Sequence, residues 1–212
     1  MSTNPLLLLL GVGPRIGSAV AKQFARHGYQ VAVASRSGNN KRTEDRYFFI
    51  KADFSHSSSV PATFEAVNAE FGVAPSVVVY NAYSLTPPPK EDELFSVSTD
   101  VFATDMAVNT VSAYSAAAEA VGVWGSLPQD AQRTFIYTGS SKSSTAFVAL
   151  RGCHWCWEGG FSIFDRLGGQ HVFAQGLQVR RMRRIESPQD DTAIEHGLIR
   201  ILFQVFLRRS EQ

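Results

Sequence analysis

Cysteine is almost absent from this chain: Cys153 and Cys156 are the only two. Two cysteines make no disulfide framework, and a zinc site at their C-x-x-C spacing would need two further ligands where only His154 lies close by. They read as structural or incidental, and no metal site is expected. An excess of charge of one sign is also missing. Twenty Lys and Arg face nineteen Asp and Glu, for a net charge of +1, so bulk electrostatics point to neither nucleic acid nor an anionic membrane surface. The basic run at residues 180–184 has no interleaved aromatics and reads as a solvated strand end. No apolar stretch approaches the roughly 20 residues a membrane span needs. The five leucines at 6–10 have no Lys or Arg before them and run straight into glycines, which is not the layout of a secretory signal. A cytoplasmic protein is the default expectation. Finally, tyrosine does not occur after Tyr137 nor lysine after Lys142, although nine of the fifteen arginines lie beyond that point.

What is present suits one domain, or one domain with an appendage. The chain has 212 residues, of which 44% are hydrophobic, enough for a buried core and too many for a disordered chain. Residues 6–10, 30–34, 47–50, 76–80 and 134–138 read as strands. Residues 16–27 carry helical periodicity through Ile16, Val20 and Phe24, with Gly28 as a stop. Residues 60–71 read as a helix with Ser59 as N-cap and Pro61 in the first turn. An alanine-rich helix is expected over 100–121, after a Pro-rich loop at 86–90. Apolar strands alternating with amphipathic helices imply an α/β fold: a Rossmann-type, doubly wound parallel sheet with helices on both faces. Ligands of such sheets lie beyond the C-terminal strand ends, near the point where strand order reverses. The composition shifts near residue 150. That divides the chain into a nucleotide-binding unit, 1–150, and a divergent segment, 151–212, packed on or trailing from the same domain. In that atypical segment 171–179 reads as a strand and 192–209 as a helix, between glycine pairs and a basic run.

The most informative stretch follows the first strand: Gly11-Val12-Gly13-Pro14-Arg15-Ile16-Gly17. A pyrophosphate needs close backbone approach and free N–H groups at a helix N-terminus. Gly11 permits the turn out of the strand, Gly13 leaves room for the ligand, and Gly17 lets the helix pack against the sheet. The G-x-G-x-x-G fingerprint would require glycine where Ile16 stands. The spacing fits G-x-x-x-[G]-x-G instead, with Arg15 in place of the middle glycine. A tight turn without a ligand is the alternative. The second strand ends in Ser35 and Arg36, with no carboxylate for a ribose 2′-hydroxyl. A guanidinium there suits a 2′-phosphate, and Arg15 could reach the same place. This favours NADP over NAD.

In this order and spacing the chain resembles the short-chain dehydrogenase/reductase (SDR) superfamily over about residues 6–142. The loop of Gly11, Arg15 and Gly17 looks like its T-G-x-x-x-G-x-G. Asp53-Phe54 looks like its adenine-contacting pair. Tyr80-Asn81-Ala82-Tyr83 stands where the family has N-N-A-G. Asn109 matches the asparagine of its long fourth helix, and Ser140 the serine ending its fifth strand. The resemblance implies an NADP(H)-dependent oxidoreductase acting on a carbonyl or alcohol of a small-molecule substrate. Ser140 would polarise the carbonyl and Asn109 would hold a water in a proton relay. The cofactor would contact Gly11, Gly13, Arg15, Ile16, Gly17, Ser35, Arg36, Asp53, Phe54, Asn81 and Ala82. Relatives often dimerise through the fourth and fifth helices, so a homo-oligomer is an open expectation. The family's Y-x-x-x-K, about a dozen residues after the serine, is missing: residues 150–157 hold neither residue. Tyr137 and Tyr83 are the neighbouring tyrosines, and neither has the family position. The alternative is therefore a catalytically impaired NADP(H)-binding protein, a sensor or scaffold, or a truncated relative.

Overall fold

A strand covered on both faces buries every side chain of a five-residue apolar run, and Leu6–Leu10 (β1) takes that place. Each of its leucines is at most 1% exposed. The computed structural model describes residues 4–43, 47–90, 93, 95–138 and 178–181. β1 pairs in parallel with β2 (Gln30–Ser35), and β2 with β4 (Phe48–Lys51). On its other side β1 pairs with β5 (Val77–Tyr80), which pairs with β6 (Thr134–Tyr137), and β6 with β7 (Gln178–Arg181), all parallel. A two-residue strand, β3 (Lys41–Arg42), runs antiparallel to β4. The order is β3-β4-β2-β1-β5-β6-β7, so chain direction away from the centre reverses at β1.

Alternation along the strands divides the core in two. Leu6, Leu8 and Leu10, with Val78, Tyr80, Phe135 and Tyr137, form one cluster with Val60, Phe64 and Val67 of α2 (Ser59–Phe71) and the alanines of α4 (Ser112–Val123). Leu7, Leu9, Val31, Val33, Val77 and Val79 cluster on the opposite face with Val20, Ala21 and Phe24 of α1 (Ile16–Arg26). Helices thus cover both faces, as the doubly wound reading requires. Alanine on α4 brings that helix close to the sheet. Its C-terminal end is tied down where Trp124 Nε1–H donates to Pro75 O at 2.8 Å, and Arg133 donates to the carbonyls of Trp124 and Leu127 at 3.2 Å each.

Several expectations need adjusting. The single helix over 100–121 is α3 (Thr99–Met106), a π-turn (Ala107–Val111) and α4 in succession. Ser98 caps α3, its side chain accepting from Val101 N–H. Ser59 is the first residue of α2 and not its cap: its carbonyl accepts from Thr63 Oγ1–H at 2.7 Å. β3 is exposed and too short to leave a pattern. It is held by an ion pair from Arg42 to Glu70 and by the Arg42 guanidinium over the Phe71 ring at 4.6 Å. In the atypical segment the strand is 178–181, so Arg180 and Arg181 belong to it, while 171–177 and the expected helix 192–209 lie outside the described residues. Among the described residues no helix is long and apolar enough to cross a membrane.

Leu8→Ala, at the centre of β1, is expected to lower unfolding free energy by about 2–5 kcal/mol in urea titrations. A second expectation concerns alkaline pH. Tyr29 packs edge-to-face on Phe24 with ring centroids 5.0 Å apart, and burial pushes its phenol up to about 12. The folded state therefore holds that proton more tightly than the unfolded chain does. Its contribution is complete below about pH 10, the unfolded value, and is lost as pH rises toward 12. Tyr29→Phe should flatten the stability-against-pH curve between those limits.

Candidate functional site

The C-terminal ends of β1, β5 and β6 converge on one asparagine. Asn81 N–H donates to Leu10 O at 2.7 Å, and Asn81 Nδ2–H donates to Gly11 O at 2.8 Å. Its Oδ1 accepts from Thr138 Oγ1–H at 2.8 Å. The β1 turn packs hard against this residue. Gly11 has φ +93°, and a Cβ placed there would stand 2.3 Å from Ala82 N and 2.8 Å from Asn81 C. Gly11 N–H and Val12 N–H both donate to Ala34 O, at 2.9 and 3.1 Å, joining the turn to β2. Gly11, Asn81 and Ala82 are therefore brought together at the switch point.

The other two glycines of the loop differ. A Cβ on Gly17 would meet Val12 Cα at 2.9 Å, so this glycine admits the loop's own backbone rather than the sheet. A Cβ on Gly13 would meet nothing within 4 Å. Beside that open space α1 begins at Ile16, 37% exposed, with Arg15 at the N-cap position making no side-chain capping bond and with no acidic residue in the first turn. The first amides of a helix lack intrahelical partners and attract anions. Ser18 N–H is taken by Gly13 O at 3.0 Å and Ala19 N–H by Arg15 O at 3.2 Å, and a helix start beside open space at a glycine has the polarity to accept a phosphate through its other amides.

The ends of β2 and β4 form one flank of this loop. Ala52 N–H donates to Ser35 O at 2.9 Å, and Ser35 Oγ lies 3.2 Å from Ser37 Oγ. Arg36 and Asp53 are exposed. Asp53 is held below the usual carboxylate range, first by the Ser55 backbone N–H at 3.0 Å and its hydroxyl at 2.8 Å, then by the charges of His56 and Arg36. The guanidinium and the carboxylate thus share one surface. Phe54 points the other way. It is 5% exposed, packs on Tyr80 with centroids 5.8 Å apart, and its carbonyl accepts from Ser112 Oγ–H at 2.7 Å. Its side chain belongs to the core.

The loop after β5 forms the opposite flank. Asn109, in the π-turn, is 5% exposed. Its Oδ1 accepts from Ser84 N–H at 2.9 Å and its Nδ2–H donates to Ser84 O at 2.6 Å. Asp105 binds the same loop and was not singled out from the sequence, because a lone Asp in a helix pattern has no signature. Tyr80 OH donates to Val108 O at 2.5 Å and Tyr137 OH to Asn109 O at 3.4 Å, the two rings stacked 6.1 Å apart. Both phenols are therefore turned into the core beneath the π-turn, and burial raises that of Tyr80. Tyr83, by contrast, is 53% exposed beside Ala82. Ser140, Lys142, Cys153, His154 and Cys156 lie outside the described residues.

Comparison with known proteins agrees with this layout. The family profile described as enoyl-(acyl carrier protein) reductase matches residues 11–146. A short chain dehydrogenase/reductase of Cryptosporiopsis sp. (strain 8999), dmxR12, is 35% identical over 155 residues, which are 68% of this chain and 62% of that protein. The match thus spans less than two thirds of the relative's length. Among solved structures, a Brucella ovis oxidoreductase of the short-chain dehydrogenase/reductase family, in complex with a partially ordered NAD, superimposes with TM-score 0.75 at 16% identity, covering 96% of this chain and 92% of that one. A metagenomic short-chain oxidoreductase in complex with NADP gives TM-score 0.77 at 15% identity, covering 95% and 90%. At these identities the two structures speak for the fold alone.

The glycines predict a contrast measurable by thermal and chemical unfolding. Gly11→Ala forces backbone against backbone at a positive φ and should cost at least about 2 kcal/mol. Gly13→Ala fills open space and should leave stability within about 0.5 kcal/mol of the parent.

Proposed function

The chain belongs to the short-chain dehydrogenase/reductase superfamily, and we propose that it is an NADP(H)-dependent oxidoreductase acting on a carbonyl or alcohol of a small molecule in the cytoplasm. The observation that carries the cofactor reading is the open space over Gly13 at the uncapped start of α1. In this reading the backbone of Gly11, Gly13, Ile16 and Gly17 holds the pyrophosphate. Arg36 and Arg15, with the Ser35 hydroxyl, take the 2′-phosphate. Asp53 and the backbone of Phe54 border the adenine, and Asn81 and Ala82 border the path beyond. When bound, the nicotinamide supplies or takes up the hydride, while the protein contributes orientation and electrostatics. Ser140 donates its hydroxyl hydrogen to the substrate oxygen. Asn109, whose side chain fixes the loop at Ser84, holds a water of the proton relay. A homo-oligomer fits this reading.

One observation favours a second reading. No tyrosine follows Tyr137, and Tyr80 and Tyr137 are both in the core. Loss of a general acid costs about 10²- to 10⁴-fold in rate. A protein that binds NADP(H) without turning it over, as a sensor or scaffold, retains every feature of the loop and of Arg36.

The test is a titration with NADPH and NADH followed by absorbance assays over aldehydes and ketones. NADPH should bind about 10- to 100-fold more tightly than NADH, the worth of one charge-assisted contact. Arg36→Asp should reverse that preference, and Gly13→Ala should weaken NADPH at unchanged melting temperature. Tight NADPH binding with no turnover across the panel selects the second reading. No binding of either nucleotide removes both.

A further inference from the structure

Asp105 is a buried carboxylate that the reading above leaves unused. It lies on α3, four residues before Asn109, and is 5% exposed. A buried charge of this kind persists only where hydrogen bonds replace its water. Among the described residues, its partners come from one short stretch. Ser84 Oγ–H donates to Oδ1 at 2.5 Å, Thr86 N–H donates to Oδ2 at 2.7 Å, and Thr86 Oγ1–H reaches Oδ1 at 3.4 Å. Asn109 takes the backbone N–H and carbonyl of Ser84. Two side chains, one on α3 and one in the π-turn, therefore make five hydrogen bonds to residues 84–86 and fix that loop in height and direction.

The place of this loop gives the clamp its meaning. Ser84 follows Ala82 by two residues, and Ala82 touches Gly11 at the switch point. Strand order puts Arg36 and Asp53, at the ends of β2 and β4, on one side of β1, and the loop after β5 on the other. A dinucleotide with its adenosine half beside Arg36 and its pyrophosphate over Gly13 extends its nicotinamide half toward residues 82–86. We infer that Asp105 is a positioning residue for the nicotinamide half of the cofactor: through Ser84 and Thr86 it sets the surface on which that half rests. This rests on the cofactor reading proposed above.

The chemistry of the carboxylate makes the inference specific. Its two oxygens accept from an N–H and from two hydroxyls at once, with no donor of its own to place. An asparagine keeps the same shape. Its oxygen can accept from Thr86 N–H while its amide donates to the Ser84 hydroxyl, which also accepts. Asp105→Asn therefore preserves the clamp without the charge, whereas Asp105→Ala abolishes it.

The experiment measures binding of NADPH and of adenosine 2′,5′-bisphosphate, which carries only the adenosine half, by calorimetry on the wild type and both variants. Expected for Asp105→Ala is an NADPH affinity about 10- to 100-fold weaker, with adenosine 2′,5′-bisphosphate within about twofold of wild type. Asp105→Asn should restore NADPH affinity to within about threefold of wild type. NADPH binding by Asp105→Ala at wild-type strength overturns the inference, and so does a parallel loss of both ligands, which marks a general structural role. Should Asp105→Ala not fold, Ser84→Ala removes one bond of the clamp and carries the same comparison, with about a three- to tenfold loss confined to NADPH. A wild type that binds neither ligand overturns the cofactor reading and this inference with it, a pattern distinct from a wild type that binds both and an alanine variant that does the same.

Discussion

Two stretches of backbone meet where β1 and β5 end, at a separation that no side chain can enter. Gly11 lies so close to Asn81 and Ala82 that a methyl group would collide with main-chain atoms. The remaining features of the site are arranged around this contact. It fixes the β1 turn from which α1 starts, a turn that Gly17 lets close against Val12. It also lets Asn81 bond to β1 and to Thr138 together, locking three strand ends into one floor. On one flank of that floor stand exposed charges, Arg36 and Asp53. On the other stands a half-buried loop held by two buried side chains, Asp105 of α3 and Asn109 of the π-turn.

The two flanks differ in electrostatic character. Asp53 is in water, and local N–H and O–H donors keep it ionised; Asp105 is out of water and, among the described residues, accepts from the loop it holds. An exposed, ionised pair can reorganise around a ligand's adenosine and phosphate groups, whereas the buried pair of Asp105 and Asn109 is committed to one geometry. The same contrast bears on proton transfer. A general acid works best with a pKa near the working pH, and burial moves Tyr80 away from that range.

The sequence announced the parts whose physics is local. Five leucines in a row running straight into glycines read as a doubly buried strand, and Gly11 and Gly17 after it mark a turn that needs close approach. Asn81 directly after β5 marks the strand end that meets the β1 turn. Less local features left no trace. Gly38 carries no motif in the sequence, yet a Cβ there would stand 2.0 Å from Ile50 O, a contact set by the pairing of distant segments. Asp105 had no neighbour in sequence to reveal that Ser84 and Thr86 would surround it. Phe54 was expected at the adenine on its position, but the alternation of buried and exposed residues after β4 turns its ring into the core. The π-turn was invisible because its alanine- and valine-rich residues fit an α-helix equally well.

That π-turn has a consequence for how this segment tolerates change in length. It holds one residue more than the α-helical turns on either side of it. An uninterrupted α-helix advances by about 100° per residue, so a deletion between 107 and 111 would let hydrogen bonding run unbroken from Thr99 to Val123. Because the π-turn takes up its extra residue within a single turn, that deletion would leave α3 and α4 in nearly the same phase about the axis, with Asp105 still facing Ser84 and Thr86. The same deletion inside α4 would instead turn everything before it by about 100° and carry Asp105 off the loop. The π-turn is thus the place in this segment where losing one residue disturbs the loop least.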